Sequence, residues 1–453
     1  MIKRFIEKLA KPVTKTRRKT IGPDQHSVRV NDMSAFGVEV ADQLRDANYD
    51  AYLVGGCVRD ALLNKRPKDF DVATDARPEQ VKRLFRRARI IGRRFQIVHV
   101  QNRQEIIEVT TFRGDHTQAP KESKRPKRGE QSARSSGKGV LLRDNVFGSL
   151  EEDALRRDFT CNALYFDADT EDIIDFVGGV ADLQQGLLRT IGQPEQRFRE
   201  DPVRMMRAIR FQSKLDLKLD KASALALNSQ AKMITEVSPA RLFDEVIKLL
   251  LHEKSVSAFQ QFTDSKIFEY LFPVSASVVS AEPRYAKMLQ IAMNNTEQRL
   301  GVGKTVSPFY LYATLLWPMV DVEYKRQLSN KQAPARAMET AISQALAIHS
   351  ETVSIPKRFS QSMRDTWHLQ TQLHRRSGDR AERLVSNPRF RAAYDFLLMR
   401  EEAGENHDRL GEWWTNYQNA NAEKRALMVE SLGAPSRKPR RRRRRTNKPS
   451  NAE

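Results

Sequence analysis

A short apolar run, Ala51-Tyr52-Leu53-Val54, stops at Gly55-Gly56, and a little further on the chain reads Asp69-Phe70-Asp71-Val72. No other feature limits the fold so tightly. It demands a strand, a tight turn, a short helix and a second strand carrying alternate carboxylates. Glycine at the turn lets backbone approach a ligand closely, because no Cβ intervenes. The helix expected over residues 57–63 aims free N–H groups and its positive dipole end at that point, a seat for phosphate. Arg59 lies near the start of that helix, within reach of the same anion. Alone, a Gly-Gly pair before a helix is more often just a turn.

The two carboxylates change that reading. Residues two apart on a strand share a face, so Asp69 and Asp71 stand together while Phe70 and Val72 turn inward. Like charges held so close repel, and an isolated Asp-Phe-Asp reads as a solvated strand end. Behind the glycine turn it reads as a metal site. Magnesium takes a few carboxylates and completes its shell with phosphate oxygens and water. Two such ions activate an attacking hydroxyl and stabilise a leaving pyrophosphate. Glu108, outward on a strand expected over residues 106–112, is either a third metal carboxylate or an exposed strand residue. The sequence leaves both open.

The organisation around this core is α+β. A basic leader, 1–25, precedes a mixed-sheet catalytic head, 26–182, with further strands expected at 96–100 and 162–166 and a helix at 151–156. Pro78 opens a helix whose apolar face is Val81, Leu84, Phe85 and Ala88. Residues 114–139 are rich in Lys, Arg, Ser and Gly with almost no apolar anchors, and read as a mobile basic loop. Helical patterns then fill a neck, 183–255, and a body, 256–432, weakly broken near 275–284 and at Pro334. An arginine-rich tail, 433–453, holds no apolar run and reads as disordered.

Charge points to the partner. Lysine and arginine number 78 against 57 aspartates and glutamates, a formal charge of +21. Clustered toward both ends, that surplus favours a polyanion. Cys57 and Cys161 are the only cysteines, too few for a disulfide framework or a zinc site, which fits a reducing, cytoplasmic setting. No apolar run reaches transmembrane length. Ile2, Phe5, Ile6 and Leu9 recur at helical spacing among lysines and read as a lightly docked terminal helix rather than a membrane-surface segment.

The runs Leu53-Val-Gly-Gly-Cys-Val-Arg-Asp60, Lys68-Asp-Phe-Asp-Val72 and Arg156-Arg-Asp-Phe-Thr-Cys-Asn-Ala163 resemble the bacterial tRNA nucleotidyltransferase/poly(A) polymerase family. The likeness is clear over residues 50–251. It implies a polymerase-β-like nucleotidyltransferase head followed by all-α neck, body and C-terminal domains. It makes Asp69 and Asp71 the ligands of two Mg2+ ions, with Mn2+ as a substitute, and ATP the substrate. It places Arg157, Asp158 and Asn162 where the family contacts nucleotide and supports catalysis, Asp158 with a catalytic role. Glu200-Asp201-Pro-Val-Arg204 looks like the family's base-reading element: Asp201 offers acceptors and Arg204 paired donors. Standing alone, such a pair would be a surface ion pair.

Within the family, residues 90–100, Ile-Ile-Gly-Arg-Arg-Phe-Gln-Ile-Val-His-Val, resemble the signature of poly(A)-adding members. CCA-adding members typically carry a smaller residue, often glycine, where this chain has Gln96. The arginine-rich tail points the same way. Expected partners are therefore RNA 3′ ends, with RNA-decay or RNA-chaperone proteins behind them. Backbone contacts are expected from Lys121, Lys124, Arg125, Lys127 and Arg128 in the loop and from Arg440, Arg441 and Arg442 in the tail. A CCA-adding enzyme and a catalytically silent RNA-binding protein on the same fold remain the alternatives. Intact Asp69, Asp71 and Asp158 weigh against the second.

Overall fold

The computed structural model describes residues 18–92, 96–114, 134–135, 141–143 and 146–432. The amphipathic opening, Arg93-Arg94-Phe95, Lys121, Lys124, Arg125, Lys127, Arg128 and Arg440, Arg441 and Arg442 lie outside the described residues. The chain divides into two compact units. One holds Met1–Ser277, Met293–Val306 and His349–Ile355, and the other Val278–Ala292, Ser307–Ile348 and Pro356–Glu453.

The first unit is organised by an eight-stranded mixed sheet. Its strands are β1 (Lys19–Ile21), β2 (Ala51–Val54), β3 (Asp71–Thr74), β4 (Ala88–Ile91), β5 (Ile97–Gln101), β6 (Ile106–Thr111), β9 (Leu164–Phe166) and β10 (Ile173–Asp175). They run in the order β1-β10-β9-β2-β3-β6-β5-β4. A separate small ribbon pairs β7 (Arg134–Ser135) with β8 (Leu141–Arg143). Only β3 and β6 are parallel within the large sheet; its other neighbours are antiparallel.

Alternation along the strands builds a core on each face. Val72, Val98, Val100, Ile107 and Val109 meet Val40, Ala41 and Leu44 of helix α1 (Ala35–Asp46), with Val81 and Phe85 from α3 (Pro78–Leu84) and its end. Between these lies α2 (Gly56–Leu62), the helix that follows the glycine turn. On the opposite face Val54, Ala73, Ala163, Tyr165 and Ile174 meet Ala154 of α4 (Leu150–Arg156). Each fully buried Val or Ile there is worth about 1.5–3 kcal/mol. Local signals start the helices: the Ser34 hydroxyl accepts from Gly37 N–H, and Ser149 and Glu152 form a reciprocal capping box.

Three expectations shift. The helix from Pro78 ends at Leu84, and Ala88 opens β4 instead of lying on the helix face. Phe85 is already extended at φ −107° yet fills the same core, so the apolar spacing continues across a change of backbone. The strand expected from residue 162 starts at Leu164, because Thr160–Asn162 form a single 3-10 turn. Part of the basic leader also belongs to the sheet: Lys19–Ile21 pairs with β10 at its edge, and three residues are too few for a legible alternation. Among the described residues no helix is long and apolar enough to cross a membrane.

Helices complete this unit: α5 (Gly179–Gln184), α6 (Pro194–Glu200), α7 (Val203–Leu215), α8 (Lys221–Gln230) and α9 (Pro239–Leu250) lead on to several more. His349 is buried here at 4% exposure and stacked on Phe272 at 4.8 Å, and burial pushes its pKa down to about 4. The unfolded imidazole, near 6.5, takes a proton first, so this stability is complete above about pH 6.5 and is lost as pH falls toward 4. We expect about 2–3 kcal/mol to disappear across that window. Denaturant melts of His349→Phe should show a correspondingly flatter loss between pH 7 and 4; an unchanged slope would contradict this account.

The second unit is helical. Pro308–Ser329 buries Tyr312, Leu315, Leu316 and Trp317. Trp367 on Lys357–Gln372 donates to the Ala313 carbonyl at 3.2 Å, and Trp414 on Leu410–Asn419 to that of Leu373 at 3.1 Å. Both indole donors are thus satisfied in the core, as burial requires.

Candidate active site

The sheet register assembles the site. β2 and β3 are antiparallel with Val54 opposite Asp71, so the turn at Gly55 begins where β3 begins. The next strand places Glu108 in register with Asp71, and β5 places His99 opposite Glu108. Val54, Asp71, Glu108 and His99 therefore form one row across four strands. Gly55 sits at φ +78° and ψ −117°, a conformation that a side chain would strain, and its N–H donates to the Leu164 carbonyl at 3.1 Å. That amide is consequently held by the sheet. A Cβ at Gly55 would lie 3.5 Å from Arg157 Nη1, which sets that guanidinium directly beneath the turn.

Asp71 alone of the pair belongs to the strand. Asp69 precedes it, exposed, although the alternation holds: Phe70 packs against the first core and Val72 is buried in it. Burial, the Glu108 charge and the Asp69 charge push Asp71 up to about 6, against the pull of Arg157. A desolvated carboxylate between two others is the arrangement a cation relieves. Among the described residues no three His, Cys, Asp or Glu side chains make a closed metal cage. Asp69 and Asp71 therefore suit an ion that takes its other ligands from phosphate and water, as magnesium does. Glu108 keeps company with His99, whose Nε2 lies 3.2 Å from Oε1.

The segment after α4 supplies a second cluster. Arg157 donates to Asp153 at 2.9 Å and to the Tyr165 hydroxyl at 3.1 Å. Asp158 is nearly enclosed. Its Oδ2 accepts from Arg207 Nε at 2.7 Å, its Oδ1 from Asn162 Nδ2 at 3.0 Å and from Phe159 N–H at 2.8 Å. Burial alone would raise its pKa, but Arg207, Asn162 and the Phe159 amide hold it well below the usual carboxylate range. A carboxylate held this way by Arg207, Asn162 and the Phe159 amide is fixed in its direction.

Arg59 is 5% exposed and donates to Asn162 Oδ1 at 2.7 Å and to Asp60 Oδ1 at 2.6 Å, with Nη2 3.7 Å from where a Cβ on Gly56 would lie. It braces Asn162, which braces Asp158. Asp201 and Arg204 meet through the backbone, the Arg204 N–H donating to the Asp201 carbonyl at 3.0 Å. Asp201 takes a two-pronged bond from Arg241, at 2.7 and 2.8 Å, while Arg204 donates to Glu200 at 3.2 Å and to the Arg197 carbonyl at 2.9 Å. Asp201 caps the end of α6 and precedes α7, so it is not a helical neighbour of Arg204 in the sense the spacing suggested.

Sequence reasoning passed over Arg197, Arg207 and Arg241. Buried Arg197 donates to the carbonyls of Arg156 and Arg157, at 2.5 and 2.6 Å, and so ties α6 to the end of α4. Arg204, Arg207 and Arg210 recur every third residue on α7, the one signal in the sequence that marks Arg207. Arg241 gave none, because its partner is forty residues away in sequence. Cys57 and Cys161 are free and buried, with burial pushing each thiol up to about 12.

Three family models match this chain: "Poly A polymerase head domain" over residues 51–189, "Probable RNA and SrmB- binding site of polymerase A" over 216–278, and "Polymerase A arginine-rich C-terminus" over 330–448. The chain is 40% identical to poly(A) polymerase I of Salmonella typhimurium over 431 residues, 94% of this chain and 91% of the relative. It is 36% identical to the CCA-adding enzyme of Ligilactobacillus salivarius over 231 residues, 51% of this chain and 53% of that one. Among solved structures, the Bacillus stearothermophilus CCA-adding enzyme in complex with CTP superposes with a TM-score of 0.55 at 24% identity, covering 88% of this chain and 87% of that chain, a likeness of fold.

Proposed function

Because this chain belongs to the family of bacterial poly(A) polymerase I, nucleotidyltransferases, we propose that it extends RNA 3′ ends with AMP taken from ATP, without a template. The observation that carries this reading is the row through Asp71 and Glu108, set beside Asp69 under the Gly55 turn, with Arg157 below. The proposed reaction is in-line attack of the RNA 3′-hydroxyl on the ATP α-phosphorus. A phosphodiester forms, the bond to the β-phosphate oxygen breaks, pyrophosphate leaves, and the hydroxyl proton passes to solvent.

Asp69 and Asp71, with Glu108 as a further candidate, would hold two magnesium ions, which when bound supply the positive charge that polarises the α-phosphate. The chain's own contribution is placement. Gly55 and Gly56 leave room for phosphate, and Arg157, fixed by Asp153 and Tyr165, faces it. Asp158 is held by Arg207 and Asn162 so that it orients the nucleotide; Arg59 acts one step back, through Asn162. For base choice, Arg241 fixes Asp201 through both oxygens and so sets the direction of a carboxylate whose chemistry is to accept from a base amino group. Arg204 supplies donors beside it.

The choice of AMP over CCA addition is supported by similarity to poly(A) polymerase I along nearly the whole chain, against half of it for the CCA-adding relatives. Incubating RNA with ATP alone should give a long ladder, and with CTP alone none. One or two cytidines added with CTP, and a stop after them, would move the chain to the CCA-adding class. The basic stretches bearing Lys121, Lys124, Arg125, Lys127, Arg128, Arg440, Arg441 and Arg442 are proposed to hold RNA phosphates in a salt-sensitive, sequence-independent way. A role in marking RNA for decay in the cytoplasm, with decay or chaperone proteins as partners, completes the reading.

A further inference from the structure

The second unit contains a cavity of about 330 Å³ that nothing above uses. Its floor is a set of buried charges that satisfy one another. Arg400 lies against the Trp317 ring at 4.5 Å and donates to Glu405 at 2.6 Å and to Gln370 at 3.0 Å. His407 Nε2 stands 3.1 Å from the same Glu405 carboxylate. Across the floor, Asp321 is 2% exposed and accepts from the Tyr285 hydroxyl and from Lys325, both at 2.7 Å. These pairs fix the shape of the cavity, since a buried charge that lost its partner would cost several kcal/mol.

The rim is different. Tyr324, half-buried, and His374, exposed, line the cavity, their side chains making no hydrogen bond to any described residue, and the His374 ring lies 5.5 Å from that of His407. Lys325 and Arg284 border the same opening, ion-paired with Asp321 at 2.7 Å and with Glu282 at 2.9 Å. Flat π-faces beside unbonded hydroxyl and imidazole groups are the chemistry that takes a nucleobase by stacking and hydrogen bonding. The volume falls in the range of small-molecule sites.

We propose that this cavity receives a single nucleotide of the RNA chain, upstream of the 3′ end being extended, with its base held by Tyr324 and His374. The assignment rests on the reading that the chain acts on RNA. It gives the second unit a discrete grip on primers long enough to reach it, so that apparent affinity should step upward at one primer length instead of rising smoothly.

The test is a series of oligoadenylate primers of increasing length, extended with ATP by the full chain and by Tyr324→Ala/His374→Ala. The wild type should show a step in KM, and in the variant KM for long primers should rise about tenfold while short-primer KM and kcat stay put. Equal melting curves guard against misfolding. No KM change at any length in a folded variant overturns the proposal. So does AMP binding by the wild type, lost in the variant, with primer KM unchanged; that would give the cavity to a free nucleotide. A chain that bound primers with the step but added no AMP would support the cavity and sink the polymerase reading instead.

Discussion

Replacing Asp71 with asparagine should lower AMP incorporation at least about a thousandfold, the loss of roughly 4 kcal/mol of transition-state stabilisation, while RNA binding persists. The same substitution should leave the protein more stable, and this is the sharper part of the expectation. The Asp71 carboxyl is pushed up to about 6 by burial and by Glu108 and Asp69. An acid with a raised folded pKa weakens the fold above that pKa, where it must be charged. At pH 8 the neutral amide should therefore add about 1–3 kcal/mol in a denaturant melt. A core residue behaves oppositely, losing stability with function. Asp69→Ala should match the loss of activity without the gain in stability, since Asp69 is exposed. Robust polymerisation by Asp71→Asn would end the assignment of the site.

The second large effect concerns Asp158 and Arg207. Removing Arg207 leaves an ionised carboxylate, its side chain 11% exposed, with only Asn162 and the Phe159 amide as partners. Arg207→Ala should cost about 3 kcal/mol of stability and about a hundredfold in kcat/KM. In Asp158→Asn/Arg207→Ala the buried charge is gone along with its partner, so stability should largely return. Activity should not. If stability and activity recovered together, the pair would be no more than a structural brace between head and neck, and its role in orienting nucleotide would be withdrawn.

How much of this was legible beforehand differs from residue to residue. The alternation Asp69, Asp71 against Phe70, Val72 was readable because a strand's two-residue period is local, and the structure keeps it even though only Asp71 lies within β3. Ala88 was misread for a related reason: apolar spacing reports which residues reach a core, and Phe85 reaches it from an extended backbone as well as from a helix. Arg59 was placed correctly on its helix, but the partner that orients it was not legible. Its position came from neighbours in sequence, but its hydrogen bond goes to Asn162, across more than a hundred residues.

By itself, then, the sequence determined the strand–turn–helix around Gly55 and Gly56, the carboxylate pair after it and the family to which both belong. These depend on short-range backbone preferences and on motifs a few residues long. The tertiary structure decided which charges are spent on one another and which are left to a ligand. Glu108 gained its place beside Asp71 only through the parallel pairing of β3 with β6. Asp201 acquired Arg241, Asp158 acquired Arg207, and the cavity at Tyr324 and His374 arose, only when distant segments were folded together. Electrostatic work depends on distance and burial through space, and neither quantity is written in the spacing of residues along the chain.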